Sequence, residues 1–219
     1  MIYCMSDIHG MYSRFNKMLK KIDFKKSDTL YILGDVVDRG PEPVKCIKTI
    51  MENNNIKMIM GNHEDMMLRS IINNSEIYKK CWLLNGGGYT LCDICNVDKS
   101  EGRKIIDFLA RLPDFIILDK YIFVHAGIVP KKADNVKELL KNQTSEEIMW
   151  TGMKPKNSGG MLSSYTIIYG HVPTYFMTHK IPVEILRTKN CIDIDCGCGF
   201  KEGRLGCLRL NDGKEFYVS

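Results

Sequence analysis

The sequence predicts an α/β fold in which a half of alternating strands and helices is followed by a half made mostly of strands, whose sheet packs on the first. Three observations predict it. Short apolar runs alternate with stretches of helical spacing through the first third of the chain. The last forty or so residues are short strand-like runs separated by turn residues. Five apolar runs end in Asp, Asn or His beside Gly, the pattern of a site built on several strand ends of an α/β sheet.

Taken in order, a strand at about 2–5 delivers Asp7 and His9. Phe15, Met18, Leu19 and Ile22 recur at helical spacing, so Tyr12 to Ile22 is an amphipathic helix covering the sheet. A second strand at about 29–33 runs into Gly34-Asp35-Val36-Val37-Asp38-Arg39-Gly40, where Pro41 and Pro43 prevent its continuation. Val44, Ile47, Ile50 and Met51 mark a second helix, ended by Asn53-Asn54-Asn55. A third strand at about 56–60 delivers Asn62 and His63. A helix follows with Met66, Met67, Ile71 and Ile72 inward. This βαβαβα order favours a parallel sheet with right-handed crossovers.

The middle is less regular. Apolar residues from Ile77 to Leu84, with Trp82 among them, are broken by Asn85-Gly86-Gly87-Gly88. Lys99 to Leu112 reads as a helix closed by Pro113. Phe115–Leu118 and Tyr121–Val124 read as a hairpin, with His125 after its second strand. Val136 to Leu140 is a short helix, and Thr144-Ser145-Glu146-Glu147 caps another. Lys154 to Ser164 reads as a mobile loop. A run at 165–169 ends in Gly170-His171. Strands at Val183–Leu186, Cys191–Asp195, Leu205–Leu210 and Phe216–Val218 complete the chain. No linker or repeat divides residues 1–219, so one domain is expected.

A chain of 219 residues, 44% hydrophobic and 26% charged, is long enough and apolar enough to bury a sizeable core. The net charge of +5 is spread thinly, which gives a mild bias toward anionic ligands and no argument for nucleic acid. No run approaches the roughly 18 apolar residues of a membrane span. Met1 leads directly into a strand that carries chemistry, so no leader is expected and the expected location is cytosolic. Nine cysteines cannot all pair with one another, and reduced thiols are expected. Cys92/Cys95 and Cys196/Cys198 invite a zinc reading, but the pairs lie far apart, and small buried residues or surface thiols are the plainer account.

The strand-end residues Asp7, His9, Asp35, Asn62, His125 and His171 form a candidate ligand set. An Asp-x-His turn offers one cation an oxygen and a nitrogen, and a carboxylate in the central loop, Asp35, can bridge two cations. Mixed oxygen and imidazole ligands suit Mn²⁺, Fe or Zn²⁺ better than Ca²⁺ or Mg²⁺. Two such cations about 3.5–4 Å apart share a water and lower its pKa. Any one of these residues alone is accounted for as a turn residue or a hydrogen-bonded histidine; the six together are not. His63 is a candidate general acid. Asp38 is a candidate to hold His63 protonated, and Arg39 to clamp phosphate oxygens, with a local ion pair as the alternative. Glu64 reads as a helix N-terminal charge.

Asp7-Ile8-His9-Gly10, Gly34 to Gly40 and Gly61-Asn62-His63-Glu64 resemble the three signature motifs of the PPP-family metallophosphatases. The likeness is nearest to the bacteriophage lambda-type serine/threonine phosphatases and their bacterial relatives. Trp82 to Gly88, His125-Ala126-Gly127, Gly170-His171 and Ile194-Asp195-Cys196-Gly197 extend it. The resemblance implies two mixed β-sheets packed as a sandwich and flanked by helices, the calcineurin-like metallophosphoesterase fold. It implies two divalent metal ions, Mn²⁺ foremost with Fe or Zn²⁺ as alternatives. Asp7, His9 and Asp35 would hold one; Asp35, Asn62, His125 and His171 the other. Asp38 and His63 form the implied acid pair, and Arg39 meets phosphate.

The sequence departs from the family pattern at three places. Ser6 replaces a usual Gly, Cys196 replaces a frequent Thr, and Gly152 stands where relatives commonly have a second phosphate-binding Arg. Lys154 or Lys156 is a candidate substitute. The expected function is a phosphoprotein serine/threonine phosphatase, acting also on phosphotyrosine or other small phosphoesters, by in-line attack of a hydroxide shared by two cations. Glu64 and the Trp82–Gly88 stretch favour that branch. The alternatives are symmetrical hydrolysis of dinucleoside tetraphosphates and a non-catalytic phosphate-recognition scaffold. No nucleic-acid or membrane partner is expected, and the oligomeric state is open.

Overall fold

Apolar residues on the central strands occur in unbroken runs because both faces of each sheet are covered. The computed structural model describes residues 1–152 and 160–219. The chain enters through β1 (Ile2–Met5), α1 (Tyr12–Lys21), β2 (Thr29–Ile32), α2 (Pro43–Glu52), β3 (Ile56–Met58) and α3 (Asn62–Ile71). Then α4 (Glu76–Trp82) and α5 (Gly88–Cys95) flank a kinked turn, Leu83–Gly87, and α6 (Lys99–Leu109) follows. The hairpin β4 (Phe115–Leu118) and β5 (Tyr121–Val124) precedes α7 (Val136–Lys141) and α8 (Ser145–Met149). Last come β6 (Thr166–Tyr169), α9 (Tyr175–Thr178), β7 (Leu186–Arg187), β8 (Cys191–Asp193), β9 (Leu205–Arg209) and β10 (Glu215–Val218).

The described residues form two five-stranded sheets, ordered β10-β9-β1-β2-β3 and β4-β5-β6-β8-β7. In each, three parallel strands carry antiparallel neighbours: β1, β2 and β3 in the first, β5, β6 and β8 in the second. Side-chain alternation sorts the two faces. Cys4, Phe123, Ile168, Ile192 and Leu208 point into a core shared by the sheets. Their sequence neighbours Tyr3, Met5, Ile122, Val124, Ile167 and Cys207 point outward to the helix-covered core. Between the sheets the Tyr31 and Phe123 rings stack, with centroids 4.8 Å apart. The sandwich therefore matches the expected fold class.

Some expectations change. β9 and β10 do not join the second sheet: β9 pairs antiparallel with β1, at Tyr3 with Arg209 and Cys4 with Leu208. Alternation fixes which face a side chain takes but not which strand lies alongside. The strand expected at Val183–Leu186 shrinks to β7, while Val183 and Ile185 fill the inter-sheet core without ladder bonds. Met66 and Met67 are buried as expected, but Ile71 and Ile72 are 42% and 56% exposed, because α3 ends there. Of the stretch read as a mobile loop, residues 154–159, with Lys154 and Lys156, lie outside the described residues, and Gly160–Ser164 is a short 3₁₀ turn. No described helix is long and apolar enough to cross a membrane.

Phe123 is fully buried where the two sheets meet. Phe123→Ala should cost about 3–5 kcal/mol of unfolding free energy in an equilibrium denaturant titration. A loss below about 1 kcal/mol would mean that the sheets do not depend on this contact.

Candidate metal and phosphate site

The loops after β1, β2, β3, β5 and β6 converge at one end of the sandwich. Their backbones are held in unusual shapes. Among the described residues ten non-glycine residues have positive φ, and six of them are Asp7, His9, Asp35, Asp38, Arg39 and His171. Side chains adopt that left-handed region only at a cost, and surrounding structure must enforce it. Here the first two loops are laced together: His9 N–H donates to the Asp35 carbonyl at 2.9 Å, and Gly10 N–H to that of Val36 at 2.7 Å. Gly61 is needed beside them, because a Cβ there would strike the Asp35 carboxylate.

Asp35 lies at the centre. Its Oδ2 stands 3.4 Å from His125 Nε2 and 3.9 Å from Nε2 of both His9 and His63. Two groups could each hold a cation, His9/Asp35/His63 and Asp35/His125/His171, with ligand atoms within 4.8 Å of one another and Asp35 common to both. Asn62 Oδ1 faces the second group, 2.8 Å from His125 Nε2 and 3.1 Å from His171 Nδ1. Asp7 flanks the first, its Oδ1 4.0 Å from His9 Nε2.

The donor set fits divalent cations. Among the described residues Asp7 Oδ1 is buried without a hydrogen-bond partner, an uncommon state for a carboxylate oxygen that a cation would relieve. The other Asp7 oxygen accepts from the Ser6 hydroxyl and from His171 N–H. Ser6 thus takes up the space of the usual Gly by bonding to the candidate ligand. His9 Nδ1 donates to the Val37 carbonyl at 3.0 Å and His125 Nδ1 to that of Leu33 at 2.7 Å. Both rings are thereby fixed with Nε2 toward the centre, as ligating histidines are.

Electrostatics divide the group. Burial and then the neighbouring His63 hold His9 well below the ordinary histidine value, while burial and then His125 hold His171 down at about 4. Burial also opposes charge on His125, but Asp35 outweighs it and pushes the ring up to about 10. Burial raises Asp7 to about 6 against the pull of His125. Burial would raise Asp35 too, yet His125 and His63 together leave it well below the carboxylate range. Positive charge at this place, whether proton or metal, is what Asp35 demands.

His63 sits at the start of α3, with Nδ1 donating to Asp38 Oδ2 at 2.6 Å. The other Asp38 oxygen accepts from Trp82 Nε1 at 2.9 Å and from the Thr90 hydroxyl at 2.6 Å. Burial disfavours charge on His63, but Asp35 and Asp38 prevail and raise its pKa. The Arg39 fork lies across two imidazoles, Nη1 at 2.8 Å from His9 Nε2 and Nη2 at 3.1 Å from His63 Nε2. Gly86, at φ 100°, lets its carbonyl accept from Arg39 N–H at 3.2 Å where a Cβ would press on the Arg39 side chain.

All nine residues singled out in the sequence meet here; the alternative of a local Asp38–Arg39 ion pair does not form, and Asp38 pairs with His63 as expected. Thr90 was not foreseen, since nothing local marks a threonine 52 positions from Asp38. Glu64 does more than charge a helix end. Buried completely, it accepts from the N–H groups of Asp35, Val36, Val37 and Gly61 at 2.8–3.2 Å. Burial and then Asp35 push its pKa up to about 7 against those donors. None of the nine cysteines forms a disulfide; Cys92 and Cys95 are exposed, Cys196 and Cys198 buried, and none belongs to a cation-holding group among the described residues.

Comparison with known proteins gives the expected family, and relatives whose shared name matches the alternative function rather than the first. Residues 1–203 match the family model described as calcineurin-like phosphoesterase. A curated relative from Chromobacterium violaceum, "Bis(5'-nucleosyl)-tetraphosphatase, symmetrical", is 27% identical over 188 residues, covering 85% of this chain and 61% of that protein. A relative of the same name from Wigglesworthia glossinidia brevipalpis is 33% identical, over 66% of this chain and 50% of that protein. The chain thus spans about half to three fifths of the length of these relatives. Among solved structures, "Crystal structure of a putative diadenosine tetraphosphatase" superposes with TM-score 0.70 at 18% identity, covering 99% of this chain and 92% of that one. A Saccharomyces cerevisiae protein serine/threonine phosphatase with similarity to human PP5 reaches 0.65 at 14% identity, covering 100% and 80%. At those identities the structures speak for the fold alone.

The expected phosphoprotein phosphatase is therefore corrected: eight curated relatives share the tetraphosphatase name. The features read as favouring the phosphatase branch have structural duties instead. Glu64 braces the loop, and the Trp82–Gly88 stretch supports Asp38 and Arg39.

Glu64→Gln would turn an amide NH₂ toward backbone donors. It should lower stability by about 1–3 kcal/mol and weaken metal retention, read by denaturant titration and by metal content after dialysis. Wild-type stability together with wild-type metal content would mean that the four donors do not need the carboxylate.

Proposed function

We propose that this chain, which belongs to the calcineurin-like phosphoesterase family, is a metal-dependent hydrolase that cleaves dinucleoside tetraphosphates symmetrically. The reaction class rests on one observation above others: Asp35 is common to two groups that could each hold a cation. The substrate rests on the relatives' shared name. Asp7, His9 and Asp35 are proposed for one divalent ion, and Asp35, Asn62, His125 and His171 for the other. Carboxylate, amide and imidazole donors together suit Mn²⁺, with Fe and Zn²⁺ as competitors. When bound, such ions would neutralise phosphate charge and bring a water's pKa toward neutrality.

The chain's own residues do the rest. A phosphate oxygen is a better acceptor for the Arg39 fork than a neutral imidazole, so substrate draws Arg39 from His9 and His63 and orients the phosphoryl group. His63 Nε2 is then free to hold a proton, which Asp38 favours through Nδ1. Symmetrical cleavage joins the water oxygen to one of the two central phosphorus atoms and breaks its bond to the oxygen between them. His63 gives its proton to that departing oxygen, and the products are two nucleoside diphosphates. Gly152 leaves Arg39 as the proposed phosphate clamp among the described residues. Among the described residues, a Cβ at Gly152 would meet only Val172, at 3.9 Å.

Initial rates on a dinucleoside tetraphosphate and a phosphothreonine peptide, with Mn²⁺ added to metal-stripped protein, test the proposal. Mn²⁺-dependent release of nucleoside diphosphate, far faster than release of phosphate from the peptide, is expected. Preferred peptide turnover, or a nucleoside monophosphate and triphosphate as products, would refute it. His63→Asn should slow simple alkyl phosphates by about 10²–10⁴-fold and the tetraphosphate less, because a nucleoside diphosphate leaves more readily than an alkoxide. Equal losses on both would argue against His63 as the acid. Asp38→Asn should shift the basic limb of the rate profile to lower pH. The raised His63 pKa keeps the acid protonated as pH rises, and the carboxylate that helps raise it would be gone. An unmoved limb would detach that limb from His63.

A further inference from the structure

The loop after β8 carries the candidate site into a second cavity. Gly199 lies so close to His9 and Arg39 that a Cβ there would stand 3.1 Å from His9 Cδ2 and 3.2 Å from Arg39 Cδ. The next residue, Phe200, holds its ring 5.2 Å beneath the Arg39 guanidinium carbon. On its other side Phe200 meets Phe176 edge to face, with centroids 6.4 Å apart, and Phe176 meets Tyr175 at 5.8 Å. These rings border a cavity of about 310 Å³, which Ile181 and Val183 also line, with Lys201 and Glu202 among its walls. That volume is at the small end of ligand pockets, which run from about 300 to 1,000 Å³.

Phe200, Phe176 and Ile181 are 45%, 57% and 62% exposed. Large apolar groups left open beside a charged site are unusual unless something covers them. The occupant must be flat and apolar, with polar edges, and must be attached to phosphate. The rings offer faces to stack on, Lys201 and Glu202 offer a donor and an acceptor, and the guanidinium proposed to hold phosphate rests on the first ring. We propose that this cavity is a nucleoside subsite, in which one base of the substrate packs against the perpendicular Phe200 and Phe176 rings, face to one and edge to the other, while its phosphates lie on Arg39. The proposal rests on the dinucleoside reading above and adds where the base goes.

The subsite gives the Arg39 end of the site a preference for nucleoside over bare phosphate. The cysteine at the cavity floor, Cys196, is buried, and burial raises its thiol pKa, so it contributes shape without charge.

Binding separates this proposal from the activity it rests on. Calorimetric titration of the Mn²⁺-loaded protein with a nucleoside diphosphate and with inorganic pyrophosphate should show the nucleotide about tenfold tighter. Phe176→Ala, at an exposed position, should remove most of that difference while leaving pyrophosphate affinity as it was. Phe200→Leu, which keeps apolar bulk but loses the ring face, should also remove the difference, with a smaller loss of pyrophosphate affinity because the Arg39 guanidinium rests on that ring. In turnover, Phe176→Ala should raise KM for the dinucleoside tetraphosphate about tenfold with kcat little changed, and leave inorganic tripolyphosphate kinetics unaltered. If the wild type binds the diphosphate no better than pyrophosphate, or if both variants keep the preference, the subsite is overturned, even where the tetraphosphate is cleaved. If the preference exists and the variants abolish it, the subsite holds, even where the tetraphosphate is not cleaved and the activity reading falls.

Discussion

Four backbone N–H groups converge on one buried carboxylate, and the site depends on that convergence. Glu64 accepts from Asp35, Val36 and Val37 on the loop after β2, and from Gly61 at the entrance to α3. It ties the loop that carries Asp35, Asp38 and Arg39 to the helix start that carries Asn62 and His63. His63 N–H returns the link by donating to Asp35 Oδ1 at 3.0 Å. Without such bonds the left-handed residues in these loops would relax, because each costs of order 1–3 kcal/mol to hold. A charged acceptor is the strong kind of hydrogen-bond partner, and burial makes it costly to lose.

The sandwich sets the stage for this. Parallel strands β1, β2 and β3 deliver three loops to one edge, and β5 and β6 of the second sheet bring His125 and His171 to the same place. The inter-sheet core fixes the distance between the two contributions, so its packing is part of the site's geometry. His125 makes the join directly, by donating across from the second sheet to the Leu33 carbonyl at the end of the first. Substituents on Asp35, Asn62 and His171 then meet without any one element supplying more than a few of them.

Much of this was legible in the sequence. Strand ends bearing Asp, Asn or His beside Gly located all six candidate ligands, because short strands and tight turns leave few choices for where such side chains point. What the sequence hid was mostly long-range. Thr90 and Trp82 reach Asp38 through tertiary packing alone, and Glu64 looked like a helix-start charge because three of its four partners lie on another loop. The return of β9 to β1 was hidden because an alternating strand does not name its neighbour. Ile71 and Ile72 fit the helical period of α3 but lie where the helix stops. The substrate was least legible of all. The motifs point to handling of phosphorus, whereas exposed rings such as Phe176 and Phe200, proposed here to meet the group attached to it, read in a sequence like ordinary apolar residues.

The central claim is that Asp35 bridges two cations held by the strand-end residues. Electron paramagnetic resonance of the Mn²⁺-loaded protein, with metal counted per chain, tests it most directly. Two ions per chain with a spin-coupled spectrum are predicted, and Asp35→Asn should lose the coupled signal along with metal. One ion per chain, or two that give the uncoupled spectrum of isolated Mn²⁺, would contradict the bridge. Full coupled occupancy in Asp35→Asn would contradict it equally.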